Sequence, residues 1–239
     1  MADTDEDAIL GMIAAGETLP KVIESVGSKD FTHFIPAMRC LGNILTTNDA
    51  DIIDRVIFEG GYDKLTNILY ATSANLTKEC LWALSNITAG PARHINKFVE
   101  STAFPRVMDL CSSFNIDLRK ESLWVLVNAI TGGDTPTKEM IFKFNDYKVV
   151  DVLTSSLTIN EIRLLKNVLE GIEELLKLDH VFGWLKSEAS VAFVMEQRGM
   201  ITALEELQKH PNTEIYDRVV HVMTSYLELD DDGMNDGGQ

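Results

Sequence analysis

Residues 77–90 read TKECLWALSNITAG, and residues 119–133 read RKESLWVLVNAITGG. Lys-Glu, Leu-Trp, Leu, Asn and a closing glycine recur in the same order. Trp82 and Trp124 stand 42 residues apart, as do Asn86 and Asn128. Upstream, Ile35 to Asp49 reads IPAMRCLGNILTTND. Arg39 takes the Trp place there and Asn43 the Asn place, 43 residues before their counterparts. Downstream, Asn167 to Lys177 reads NVLEGIEELLK, with Glu170 and Glu174 in the two places, 46 residues on. A partial copy, NTEIYDRVVHVMTSYL, closes the series from Asn212 to Leu227. A spacing of 42–46 residues falls in the helical-solenoid range of ~40–47 and is too long for ~34-residue tetratricopeptide units.

Between the copies the pattern stays helical. Asp51 to Phe58 reads DIIDRVIF, Gly60-Gly61 interrupts it, and Tyr62 to Tyr70 reads YDKLTNILY; the next unit repeats this with INKFVEST and FPRVMDLCSSF. Each unit therefore reads as two short helices and a longer third. Pro36 is expected in the first turn of a third helix, where its missing N–H costs nothing. Gly90, Gly132 and Gly133 are expected as helix C-caps. No run of alternating β-branched residues argues for strands. The prediction is an all-α solenoid, a stacked superhelix in which each repeat buries its apolar face on its neighbours. Its expected divisions are a partial repeat over 1–30, repeats over 31–72, 73–114, 115–158 and 159–208, a partial repeat over 209–229, and an acidic disordered tail over 230–239. Ala8 to Ser25 reads as the first two helices of a unit.

Composition narrows the function. Asp and Glu total 37 against 21 Lys and Arg, a formal net charge of −16 over 239 residues. Such a chain repels nucleic acid, whose binding depends on Lys and Arg, and steers in cations and basic segments of other proteins. No apolar run is long enough for a membrane span, and no signal peptide opens the chain. Cys40, Cys80 and Cys111 lack any C-x-x-C spacing and read as buried thiols in a reducing compartment. Enzyme chemistry finds no support. His33, His94, His180, His210 and His221 are scattered without metal-ligand spacing and read as surface or partly buried residues. Met108 and Met223 read as core filling. No phosphate loop or nucleophile elbow occurs, so neither cofactor nor metal is expected.

The residues that carry chemistry are the repeated ones. Trp and Asn at i and i+4 share one helix face. In adjacent, side-by-side helices the pairs form a ladder. Helices pack at roughly 10 Å and an extended peptide advances ~3.3 Å per residue, so one rung spans about three peptide residues. An Asn amide offers a donor and an acceptor together, which matches a peptide's N–H and C=O. Trp faces attract Lys or Arg stems through cation–π contact. Glu79 and Glu121, three residues before each Trp, put carboxylates on the same broad face, and Asn43 extends the ladder one rung back. The pattern points to a groove for an extended Lys/Arg-rich peptide. A helical scaffold that takes an acidic or apolar partner helix fits the charge and the ladder less well.

KECLWALSNITAG resembles the armadillo repeats of the importin-α family. IPAMRCLGNILTTND is similar to that family's sixth repeat, which carries Arg instead of Trp; the two Trp–Asn repeats resemble its seventh and eighth, and the last two copies its ninth and tenth. The resemblance implies a right-handed armadillo superhelix that works as a nuclear import adaptor in cytoplasm and nucleus. Its minor site for nuclear localisation signals would comprise Trp82, Asn86, Trp124 and Asn128, with Asn43 and Arg39 flanking, Glu121 and Glu79 as acidic contacts, and Asp49 as a further carry-over. Basic cargo proteins are the implied partners, with an export receptor and nucleoporins on the last repeats, roughly Glu161 to Leu227. Neither nucleic acid nor membrane is expected as a partner. The family's importin-β-binding segment and early repeats have no counterpart in this sequence. An exposed terminal repeat makes homodimerisation an expectation as well.

Overall fold

Two of the long helices begin where side-chain oxygens capture free backbone N–H groups. Asp30 accepts from the Thr32 N–H at 2.9 Å, and Asn115 accepts from the N–H groups of Asp117 and Leu118 at 3.0 and 3.2 Å. Each cap satisfies donors that a helix start leaves unpaired. The computed structural model describes residue 16 and residues 18–28, 30–47, 49–70, 73–184 and 187–227. The expectations for residues 8–15 and for the acidic tail over 230–239 lie outside the described residues.

Among the described residues the chain is helical throughout. In order come α1 (Thr18–Val26), α2 (Phe31–Ile44), α3 (Ala50–Phe58), α4 (Gly61–Ile68), α5 (Ala74–Thr88), α6 (Ala92–Val99), α7 (Ala103–Leu110), α8 (Ile116–Gly132), α9 (Thr135–Lys143), α10 (Lys148–Ser156), α11 (Ile162–Phe182), α12 (Val191–Gln197), α13 (Met200–Leu207) and α14 (Thr213–Val222). A single π turn, Met223–Leu227, follows. The short–short–long pattern is plain in α3, α4 and α5, and again in α6, α7 and α8. The chain divides into two compact units after Val152, within α10.

Two punctuation marks differ from expectation. Pro36 lies inside α2, not in its first turn. The Asp30 cap starts the helix earlier, in the same frame as α5, so Pro36 falls on the exposed side of the helix and leaves one carbonyl of the preceding turn without its intrahelical partner. Gly132 closes α8 and Gly133 caps it, but in extended geometry (φ −69°, ψ 149°). The left-handed glycines are elsewhere, at Gly60 between α3 and α4, at Gly183 capping the end of α11 and at Gly199 before α13. At these turns a side chain would be strained.

In the first unit the long helices α2, α5 and α8 pack side by side, α5 between the other two. Leu41 and Ile44, Leu81, Leu84 and Ile87, and Leu123, Leu126 and Ile130 are fully buried along this stack. Burial of each such side chain contributes roughly 1.5–3 kcal/mol. Cys80 and Cys111 are buried and Cys40 is half-buried; all three are free. Burial pushes the Cys111 thiol up to about 12, which keeps it protonated and unreactive.

Polar side chains write the repeat period a second time. Asp54 takes a bidentate grip from Arg93, with nitrogen–oxygen distances of 2.7–3.1 Å. Lys78 pairs with Asp117 at 3.2 Å and Lys148 with Asp109 at 2.6 Å. The Tyr62 and Ser101 hydroxyls are hydrogen-bonded at 2.6 Å, and the Thr137 hydroxyl donates to Asn96. Each link joins residues 39 to 41 positions apart. His94 corrects the reading of the histidines as surface or partly buried. Its side chain is 1 % exposed, with Nε2 2.7 Å from Asp54, because α6 turns that face onto α3.

The second unit is held by buried carboxylates. Asp179 on α11 accepts from the Ser190 hydroxyl and from the N–H groups of Val191 and Ala192, at 2.7–3.0 Å, so it caps α12 from a neighbouring helix. Glu173 is buried beside Arg218 of α14 at 2.7 Å and Lys177 at 3.1 Å. A buried charge needs such partners. Glu174, in the Asn place of the degraded repeat, is itself ion-paired with Lys177 at 2.6 Å.

Two stability changes follow. Asp179→Ala strands two buried donors and a part-buried one and is expected to destabilise the second unit by about 2–3 kcal/mol in urea unfolding; a loss under 0.5 kcal/mol would contradict the capping role. The Arg93 hydrogen bonds, seconded by His94, hold the Asp54 carboxyl down at about 2. Its pKa is lowered on folding, so the stabilisation is present above the unfolded value near ~4 and is lost as pH falls through about 2. Asp54 is 43 % exposed, and solvent screening limits the effect to ~1 kcal/mol. The stability gap between wild type and Asp54→Asn should therefore close between about pH 4 and pH 2.

Candidate functional site

Six side chains from the three stacked helices line one cleft of ≈ 400 Å³: Arg39 and Asn43 of α2, Lys78, Glu79 and Trp82 of α5, and Glu121 of α8. A second cleft of ≈ 310 Å³ opens beside it. Leu45, Thr46 and Thr47 from the end of α2, Ala50 and Ile53 of α3, and Asn86, Ala89, Gly90 and Pro91 around the end of α5 line it. Trp82 and Asn86, one turn apart on α5, thus stand in neighbouring clefts.

Close approach of α2 and α5 sets the wall of the first cleft. A Cβ placed on Gly42 would lie 2.1 Å from Cζ3 of the Trp82 indole, so the ring rests against the α2 backbone. Sequence reasoning did not single out Gly42. Its signal was a small residue just before Asn43, where the next repeats have Ser85 and Val127.

The three Asn rungs are not equivalent. Asn43 is exposed, whereas Asn86 and Asn128 are half-buried. The Asn128 amide donates to the Ser85 carbonyl at 3.0 Å and so has one hand on the preceding repeat. Nδ2 of Asn86 is buried with no hydrogen-bond partner among the described residues. A buried unpaired donor costs about 1–3 kcal/mol. Trp124 is half-buried on α8 and lines neither cleft. Asp49 lies outside both clefts as well; it caps α3, accepting from the Asp51 N–H at 3.0 Å.

Charge is distributed unevenly. Glu79 makes no hydrogen bond or ion pair among the described residues, and Lys78 is engaged by Asp117. The second cleft sits at the C-terminal ends of α2 and α5, where the last carbonyls and the helix dipoles present partial negative charge. Thr46 and Thr47, absent from the residues singled out by sequence, add hydroxyls there; the Thr46 hydroxyl donates to the Asn43 carbonyl at 2.7 Å. Among the described residues, no three His, Cys, Asp or Glu side chains gather as a metal site, and no helix is long and apolar enough to cross a membrane.

The sequence and the stacked helices have counterparts in known proteins. Importin subunit alpha-4 of Arabidopsis thaliana is 30 % identical over 243 residues, an alignment that takes in 100 % of this chain and 44 % of that protein. The chain is a homologue of the importin-α subunits. Importin subunit alpha-1a of Oryza sativa subsp. japonica is likewise 30 % identical, over 98 % of this chain and 44 % of its own length. The chain therefore spans a little under half the length of these curated importin-α relatives. No protein-family model matches. Among solved structures, a designed armadillo repeat protein in complex with peptide (KR)4 superposes with a TM-score of 0.75 at 20 % identity, covering 91 % of this chain and 85 % of the designed one. An engineered protein superposes with a TM-score of 0.76 over 92 % of this chain. The fold is an armadillo-type helical solenoid.

Gly42→Ala tests the wall. The substitution gains helix propensity of ~1 kcal/mol but drives its methyl into the indole. Far-UV circular dichroism should stay helical while Trp82 emission, read in a Trp124→Phe/Trp184→Phe background, shifts as the ring leaves α2. An unchanged emission would mean that the ring does not depend on this contact.

Proposed function

We propose that this chain binds Lys/Arg-rich nuclear localisation signals in extended form, as the minor-site half of a nuclear import adaptor. The observation that carries the reading is the pair of clefts on either side of one Trp–Asn rung. An extended peptide points successive side chains to opposite sides. A Lys entering the second cleft meets the carbonyl ends of two helices and the hydroxyls of Thr46 and Thr47. Its neighbour on the other side meets the Trp82 face, Glu79 and Glu121. The half-buried Asn86 side chain, which lines the second cleft, stands between them. Trp124 and Asn128 extend the same row by one rung.

Three further facts support the reading. The relatives are importin-α subunits. A protein of the same fold is solved with the alternating peptide (KR)4. The net charge of −16 favours encounter with a polycation. On this reading the chain is a binding module and not an enzyme, works in cytoplasm and nucleus, and has basic cargo proteins as partners. The last repeats are proposed to meet an export receptor or nucleoporins; Val181, Phe182 and Phe193 in the second unit are exposed apolar groups suited to a protein partner.

Fluorescence anisotropy of a labelled Lys/Arg-rich signal peptide tests the main reading. Trp82→Ala and Asn86→Ala are each expected to weaken binding about 10- to 100-fold, or ~1.4–2.7 kcal/mol, with the helical spectrum intact. Raising ionic strength should weaken binding too, since the Debye length is only about 8 Å at physiological salt. A folded protein that gives no saturable binding at low salt would sink the proposal; collapse of the spectrum in both variants would make the pair core residues instead.

A further inference from the structure

The two rungs that carry Trp also carry a carboxylate three residues earlier, Glu79 before Trp82 and Glu121 before Trp124. The first rung breaks both rules. On α2 the Trp place holds Arg39 and the carboxylate place holds Pro36. Arg39, Glu79 and Glu121 nonetheless line one continuous cleft. Read along the stack, that cleft presents a guanidinium on α2, then a carboxylate on α5, then a carboxylate on α8.

The guanidinium is exposed and makes no hydrogen bond or ion pair among the described residues. The other lining cation, Lys78, is taken by Asp117. A Lys or Arg of a bound peptide placed over Arg39 would meet a like charge, which interfaces avoid at a cost in specificity and affinity. A carboxylate there would meet an open fork of donors whose planar geometry matches its two oxygens.

We propose that Arg39 is a specificity-determining residue: the cleft reads a charge-ordered extended peptide, with basic residues over Glu79 and Glu121 and a carboxylate-bearing residue over Arg39. This rests on the peptide-binding reading above and refines it. Neighbouring helices stand 8–10 Å apart and an extended chain rises ~3.3 Å per residue, so the acid falls about three residues from the nearest basic one.

The test uses fluorescein-labelled peptides with a Lys-Arg-Lys-Arg core in Gly-Ser flanks. Glu, Gln, Phe or Lys is placed three residues beyond the core, on either side in turn. The readout is the ratio of affinities within each protein, at physiological salt. For wild type, one of the two Glu peptides is expected to bind about 3- to 10-fold tighter than its Gln counterpart, the range of an exposed but well-oriented ion pair. That ratio should fall to about one in Arg39→Gln, and Arg39→Glu should prefer the Lys peptide over the Glu peptide. Circular dichroism checks that both variants remain folded. Equal binding of the Glu and Gln peptides to wild type, a preference for Phe over Glu, or a ratio that survives Arg39→Gln would each overturn the role of Arg39 while leaving the groove intact. If no peptide of the series binds folded wild type, the groove reading itself falls and this inference falls with it.

Discussion

The first unit depends on one arrangement: α5 lies between α2 and α8 with apolar side chains facing both. A helix of 14–17 residues is marginal by itself in water. Here each finds a partner of the same kind about forty residues away, and the shared interface supplies the burial. α8 carries the consequence in its composition, since Leu118, Leu123, Val125, Leu126, Val127, Ala129 and Ile130 are buried around much of its circumference. The groove is the surface that remains once these faces have closed. Its residues can be polar because the stack beneath them does not need their help.

That separation explains why the rungs carry Asn at all. In the core an Asn would be a liability; on the rim of the stack it is half-covered, and its amide either reaches a neighbouring backbone, as in Asn128, or stays unmet, as in Asn86. Gly42 performs a related service from the opposite helix. By having no side chain it lets the Trp82 indole pack directly against the α2 backbone.

Much of this was legible in the sequence, for a physical reason. Stacked units need the same apolar frame each time, so the period of 42–46 residues is imprinted wherever core residues recur, and rim residues such as Trp82 and Asn86 ride on that frame. What was not legible depends on contacts between units. Gly42 matters because of Trp82, forty residues on; His94 is buried because Asp54 faces it from the preceding repeat; Thr46 and Thr47 count because a helix happens to end beside Asn86. Pro36 misled because proline at a helix start is the rule, while the true start was fixed by the Asp30 cap six residues earlier. Asp49 carries a use that its place beside the repeat motif did not suggest: its carboxylate caps α3.

The polar links between successive repeats of the first unit have a kinetic meaning. Asp54 to Arg93, Lys78 to Asp117 and Lys148 to Asp109 each close a loop of 39 residues, and none reaches past the adjacent repeat. The entropy lost in closing such loops is the same at every step and does not grow from one step to the next along the array. A chain built this way has no need to find a distant partner before it gains anything. It can zip from whichever neighbouring pair forms first, and adding or removing a repeat alters how much stability is summed without changing the size of the search.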